Sequence, residues 1–164
     1  MGSKSLIESF DNQHKYKIVV LCYSPSGEFF VTGDIKNNII LWDAETLHVI
    51  QRYKFPLENG DGQNIFSAAW KPCEKFFGIG GMKNIRIFDF SGKLEWLVAE
   101  TEAFERRVVI NNTVFSPDDT MIGASCGFQF KIWNLKTREV IWHANELHNF
   151  TDFKGKLRCD KISH

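Results

Sequence analysis

The chain lacks most of the features that would announce an activity. Its 20 basic residues are matched by 20 acidic ones, so the net charge is zero. No global field therefore draws in DNA, RNA or anionic lipid. No stretch approaches the ~20 apolar residues of a membrane-spanning helix, and residues 1–16 are polar, without the apolar core of a signal peptide. A cytoplasmic or nuclear protein with no membrane partner and no nucleic-acid partner is expected. The four cysteines show no short metal-ligand spacing: Cys22 sits in an apolar run, Cys73 at a turn, Cys126 at a strand end and Cys159 in the tail. They read as reduced and structural.

Catalytic constellations are missing as well. The five histidines, His14, His48, His143, His148 and His164, are scattered and follow no zincin-like or deaminase-like spacing. His148 and Asp152 with Cys159 and His164 form a loose cluster that reads as a solvated tail. Gly78-x-Gly80-Gly81 is glycine-rich, but no helix follows it to hold a phosphate, so it marks a tight strand end. With no nucleophile beside a base and no paired carboxylates, the chain reads as a non-enzyme without cofactor or metal.

What is present is a repeat, about 46 residues long and occurring three times. Aligned on a proline, the copies read Ile18-Val19-Val20-Leu21-Cys22-Tyr23-Ser24-Pro25, Ile65-Phe66-Ser67-Ala68-Ala69-Trp70-Lys71-Pro72 and Ile110-Asn111-Asn112-Thr113-Val114-Phe115-Ser116-Pro117. Each copy closes on an aromatic: Trp42-Asp43, Phe88-Asp89, Trp133-Asn134. A period of ~40–45 residues with four strands per unit belongs to a propeller blade.

Strands can be placed within each copy. Residues 18–23 are almost wholly apolar, which predicts a strand buried on both faces. Pro25-Ser26-Gly27 is turn chemistry, because proline presets φ and glycine tolerates positive φ. Strands at Phe29–Gly33 and Ile39–Trp42 follow, then a more polar outer one at His48–Tyr53. The second copy gives Phe76–Gly80, Asn84–Asp89 and Leu94–Val98, and the third gives Met121–Ser125, Phe130–Asn134 and Glu139–Trp142. Residues 94–107 also fit a helix, with Leu94, Leu97, Val98 and Phe104 on one face, but the repeat phase favours an outer strand followed by a loop.

These residues make the chain resemble the WD40 repeat family of β-propellers over roughly residues 14–143. His14 stands ten residues before Ser24, where that family places the histidine of a Gly-His dipeptide, and Trp42-Asp43 matches its name-giving pair. The resemblance implies structural roles for His14, Trp42, Phe88, Trp133, Pro25, Pro72 and Pro117. In the family the histidine joins a buried relay with a loop aspartate, a second-strand serine or threonine, and the tryptophan. By repeat spacing the aspartate position holds Lys36, Met82 and Gly127, and the later histidine positions hold Asp61 and Arg106. A broken relay and blades held by apolar packing are expected.

The expected architecture is all-β: an incomplete WD40-type propeller of about three four-stranded antiparallel blades, at 14–55, 61–104 and 106–143. Residues 1–13 would form an N-terminal segment able to supply an outer strand to a neighbouring blade, and 144–164 a polar tail. Rings close with ~4–8 blades, so an open stack of three leaves two blade faces bare, and further blades in cis or in trans are expected partners. At roughly 300 Å² of projected face each, half of it apolar, covering both is worth about 7 kcal/mol.

The resemblance implies a non-enzymatic scaffold for other proteins, part of a larger propeller or a multisubunit complex. Partner binding would use the loop rim, with Lys36, Asn37, Lys83, Asn84, Phe104, Arg106, Arg107 and Phe128 as candidate contacts. Two alternatives rest on shorter matches. Trp133-Asn134-Leu135-Lys136 is one substitution from the Trp-Asp-x-Arg/Lys of substrate adaptors for cullin-type ubiquitin ligases. Phe104-Glu105-Arg106-Arg107 is similar to the Phe-Arg-Arg-Gly of phosphoinositide-binding propellers, departing at Glu105 and Val108.

Overall fold

The computed structural model describes residues 13–55, 65–82, 84–91, 93–98, 109–126 and 129–144. Twelve strands account for the regular structure in them. The first sheet contains β1 (Ile18–Tyr23), β2 (Phe29–Asp34), β3 (Asn38–Asp43) and β4 (Val49–Lys54). The second contains β5 (Ile65–Trp70), β6 (Phe76–Gly81), β7 (Ile85–Asp89) and β8 (Leu94–Val98). The third contains β9 (Ile110–Phe115), β10 (Met121–Cys126), β11 (Gln129–Asn134) and β12 (Val140–Ala144). Each sheet is a four-stranded antiparallel meander in chain order, which is a propeller blade. Residues 94–98 form a strand, as the repeat phase requires. Residues 1–12, 99–108 and 145–164, and the expectations that fall on them, lie outside the described residues.

Turn chemistry explains why the meanders recur. Pro25, Pro72 and Pro117 each occupy the second position of a turn whose fourth residue, Gly27, Glu74 or Asp119, returns its N–H to the carbonyl of Ser24, Lys71 or Ser116. That fourth residue has positive φ in all three copies (79°, 58° and 62°), so the chain leaves the turn through a left-handed residue. The aspartate or asparagine after each closing aromatic then caps the next turn. The Asp43 carboxylate accepts the N–H groups of Glu45 and Thr46, that of Asp89 accepts Ser91 and Lys93, and the Asn134 amide oxygen accepts Lys136 and Thr137. Each innermost strand also carries the same irregularity, a register shift between its first and third residues.

The core lies between blades. Val20, Val31, Ile39, Leu41, Tyr53 and Phe55 of the first blade pack against Ile65, Trp70, Phe77, Ile79 and Phe88 of the second. Ala69, Ile85 and Ile87 on the other face of the second blade pack against Ile110, Phe115, Ile122, Ala124 and Trp133. The buried Arg86 guanidinium lies over the Phe55 ring, 5.1 Å from its centroid, across the first boundary.

One expectation is overturned here. The strand at 18–23 is not buried on both faces: Ile18, Leu21 and Tyr23 are exposed, while Val20 is covered. Apolar composition on both sides of a strand shows that both sides can be buried, not that a neighbour is present.

Candidate interaction surface

A polar relay fixes the outer end of the first blade. His14 places Nδ1 2.9 Å from Asp34 Oδ2 and Nε2 2.7 Å from Thr32 Oγ1, and the Trp42 indole N–H donates to the same Thr32 oxygen at 2.8 Å. Asp34 also accepts the N–H groups of Lys36 and Asn38 and the Asn38 side-chain amide. Burial works against its charge, but the Asn38 and His14 hydrogen bonds outweigh that and hold the carboxyl below its ordinary range.

The expectation of a broken relay is therefore wrong for this blade. The aspartate is the last residue of β2, earlier than the loop position at Lys36 where the repeat spacing pointed. In the other blades the positions of Thr32 and Asp34 hold Ile79 and Gly81, then Ala124 and Cys126, so the apolar alternative stands there.

Each blade boundary is built on one template. At the first, Trp70 donates its indole N–H to the Cys22 carbonyl at 3.1 Å, and Ile65 presses against Gly33, where an added Cβ would lie 3.1 Å from an Ile65 methyl. At the second, Phe115 lies on Gly78, 3.3 Å from where its Cβ would be, and Ile110 packs on Gly80 in the same way, 2.9 Å away. Ser67 adds a hydroxyl bond to the Ile110 carbonyl. At the rim of the first boundary the Glu74 carboxylate accepts both the N–H and the hydroxyl of Ser26, at 2.7 and 2.6 Å.

The outermost faces lack such cover. Ile65 and Ile110 are 0% and 1% exposed, whereas Ile18 at the same repeat position is 48% exposed. Trp70 and Phe115 are both 6% exposed, whereas Tyr23 is 55%. On the far side of the third blade Val114 is 57% exposed, against 8% for Ala69 at the matching place in the second.

The rim candidates separate into three groups. Lys36 is exposed, and its carbonyl accepts the Lys54 ammonium at 2.7 Å. Asn37 and Asn84 are buried turn residues: Asn37 has φ 66° and exchanges backbone bonds with Asp34 and Phe55, and the Asn84 carbonyl accepts the Gly81 N–H. Their side chains do not project from the rim. Lys83, Phe104, Arg106, Arg107 and Phe128 lie outside the described residues. In the adaptor-like stretch Trp133 is buried, Asn134 caps its turn and Lys136 is exposed.

A shallow recess beside the relay is lined by Gln13, Lys15, Tyr16, Asn38, Arg52 and Tyr53. Arg52 is held there by the Gln13 carbonyl and side chain. Among the described residues no cluster of three or more histidine, cysteine or acidic side chains could hold a metal ion, and no helix is long and apolar enough to cross a membrane.

Comparison with known proteins agrees with the relay geometry. The family model for the WD domain, G-beta repeat, matches residues 4–43, which include His14, Thr32, Asp34 and Trp42. The chain carries a WD40 repeat at residues 4–43. Its relatives include Protein HIR1 of Candida albicans (strain SC5314), 30% identical over 82 residues, a match that covers 49% of this chain and 8% of that protein. The fold is similar to a solved chain titled "Structure of U3-55K", with a TM-score of 0.66 and 16% identity, covering 80% of this chain and 40% of the other. The chain thus corresponds to less than half the length of either.

The open blade faces were the part of this surface that sequence reasoning left unassigned to residues. A position-by-position comparison of the three copies carries the signal, because Ile18 and Tyr23 keep the side chains that Ile65, Ile110, Trp70 and Phe115 bury.

Proposed function

We propose that this WD40-repeat chain is a non-enzymatic protein-interaction scaffold of the cytoplasm or nucleus, working as part of a larger propeller or multisubunit assembly. The observation that supports this reading best is the exposure of Ile18 and Tyr23, with Leu21 beside them, at positions where the second and third blades bury Ile65, Ile110, Trp70 and Phe115. A contiguous apolar face of this kind marks a place where another protein surface docks. WD40 domains generally mediate contacts between proteins, and the rim around Lys36 offers a second, polar surface for them.

Affinity purification of the full chain, co-expressed with a second, differently tagged copy, separates self-association from other partners. A different protein recovered in stoichiometric amount, and reduced by Lys36→Glu or by Tyr23→Lys, is the expected result. Recovery of the chain alone, or only of its own second copy, would overturn the scaffold reading.

A further inference from the structure

Charge is sorted along the strands of the first blade. Its described bases are Lys15, Lys17, Lys36, Arg52 and Lys54, all exposed. Every one lies toward the end where the chain enters β1, turns from β2 to β3 and leaves β4. Glu28, Asp43 and Glu45 lie at the turns of the opposite end. Strands of six residues hold the two ends roughly 20 Å apart, more than twice the ~8 Å over which charges act at physiological salt. The zero net charge of the chain therefore does not cancel the field at the basic end. The second blade mixes its charges instead, with Lys71 and Lys75 in the same turn as Glu74.

No acid at the basic end offsets these charges among the described residues. Asp34 lies there, but it is buried, and its carboxylate is taken by His14, the Lys36 N–H and Asn38. The ammonium groups of Lys15, Lys17 and Lys36 have no hydrogen bond or ion pair among the described residues. Arg52 and Lys54 have partners, and all of them are neutral. The Arg52 guanidinium donates to the Gln13 carbonyl and side-chain oxygen, and the Lys54 ammonium to the Lys36 carbonyl and the Asn38 amide oxygen. These bonds fix both cations in place without neutralising them. The recess beside the relay has Lys15, Tyr16, Asn38 and Arg52 among its walls, so two of the cations face one hollow.

We propose that this end of the first blade binds a short acidic segment of a partner protein, whose carboxylates meet Lys15, Arg52 and Lys54 in and beside the recess. The proposal rests on the scaffold reading and names the chemistry of one partner. Four strands ~4.8 Å apart make the end of the blade about 15 Å across, which an extended stretch of about five residues covers. A planar guanidinium braced in one orientation is suited to carboxylate oxygens. Clusters of this kind recognise acidic segments by charge complementarity. A long polyanion such as RNA gains less, because a chain of zero net charge gives it no field to follow beyond the patch.

Fluorescence anisotropy of a labelled peptide of about eight aspartate and glutamate residues, titrated with the full chain, tests this. At about 50 mM salt the acidic peptide should bind and its asparagine–glutamine counterpart should not. Raising the salt to about 300 mM should weaken binding about tenfold or more. Lys15→Glu and Arg52→Glu should each weaken it about fivefold or more. Lys75→Glu and Lys136→Glu, at exposed turns of the opposite end, should change it less than about twofold. Circular dichroism checks that each variant folds. If Arg52→Glu does not, Lys15→Glu combined with Lys36→Glu carries the same test, because neither ammonium group holds a described residue in place.

No binding at the lower salt would overturn the proposal. So would an equal loss from Lys75→Glu or Lys136→Glu, which would mean that the peptide answers to charge anywhere on the surface. Tighter binding of polyuridine RNA or of phosphatidylserine vesicles than of the peptide would overturn it too, in favour of another polyanion. The scaffold reading fails separately, when no different protein co-purifies. A partner that Tyr23→Lys releases, and that Lys15→Glu and Arg52→Glu retain, would leave the scaffold reading standing and overturn this one.

Discussion

The indole N–H of Trp70 reaches across the first blade boundary to the Cys22 carbonyl, 3.1 Å away. The third blade carries Phe115 at the same repeat position, a ring with no N–H to donate, which packs on Gly78 instead. Trp70→Phe should therefore preserve the fold and lower stability by about 1 kcal/mol, the net worth of one hydrogen bond. Trp70→Ala should cost about 3–5 kcal/mol, because it removes the ring from the core as well. Urea unfolding followed by fluorescence of the remaining tryptophans measures both.

Thr32 is the hinge of the polar relay, since its hydroxyl meets both His14 and Trp42. Thr32→Val keeps the shape and removes the buried hydroxyl that both His14 and Trp42 meet. A loss of about 1–3 kcal/mol is expected, which thermal unfolding would register. A loss below the error of the melt would show that the relay contributes nothing beyond the apolar packing that serves the other two blades.

Gly80 is required by its neighbours. A Cβ there would meet the Ile110 and Thr113 methyl groups at 2.9 and 3.0 Å and collide with the Ser67 hydroxyl. Gly80→Ala should destabilise by about 1–3 kcal/mol through overpacking at the second boundary. Ser125 holds the corresponding position on the open face and already carries a Cβ, so Ser125→Ala should stay within about 0.5 kcal/mol. Parallel denaturant titrations of the two variants make the comparison.

Acid should weaken the fold in a defined direction. Asp34 is held below its ordinary range, with burial opposing and the Asn38 and His14 bonds prevailing. Asp43 is lowered by the Thr46 N–H, and Asp118 by the Ser116 hydroxyl. The unfolded chain, with carboxyl pKa near 3.9, then binds protons more readily than the folded one. Their contribution is complete above that pH and is lost as pH falls through the lowered folded values. Melting temperatures should decline from about pH 4 downward, and Asp34→Asn should lower the neutral-pH melt while making that acid decline shallower.

The twelve strands were legible because their signals are local. Alternation, the three prolines and the acidic residues after Trp42 and Phe88 act within a few residues of the turns that they shape. The relay was misread because its aspartate was sought by counting from a loop. The chain instead extends β2 by one residue, so that Asp34 reaches both His14 and the turn at Asn38. The burial of Asn37 was equally hidden, because a polar residue in a loop reads as solvated until its left-handed turn is seen. The exposure of Leu21 and Tyr23 was beyond any local signal, since it depends on what lies against the strand.

The serial packing of the blades also governs how the molecule opens. Among the described residues the second blade has a blade packed on each side, and the first and third have one each. In a nearest-neighbour chain of units, the end units detach at the cost of one boundary and the middle one only at the cost of two. Amide hydrogen exchange should therefore be slowest in β5, β6 and β7 and progressively faster toward β1 and β12. Uniform protection across the three sheets would show that the stack melts as a single cooperative unit.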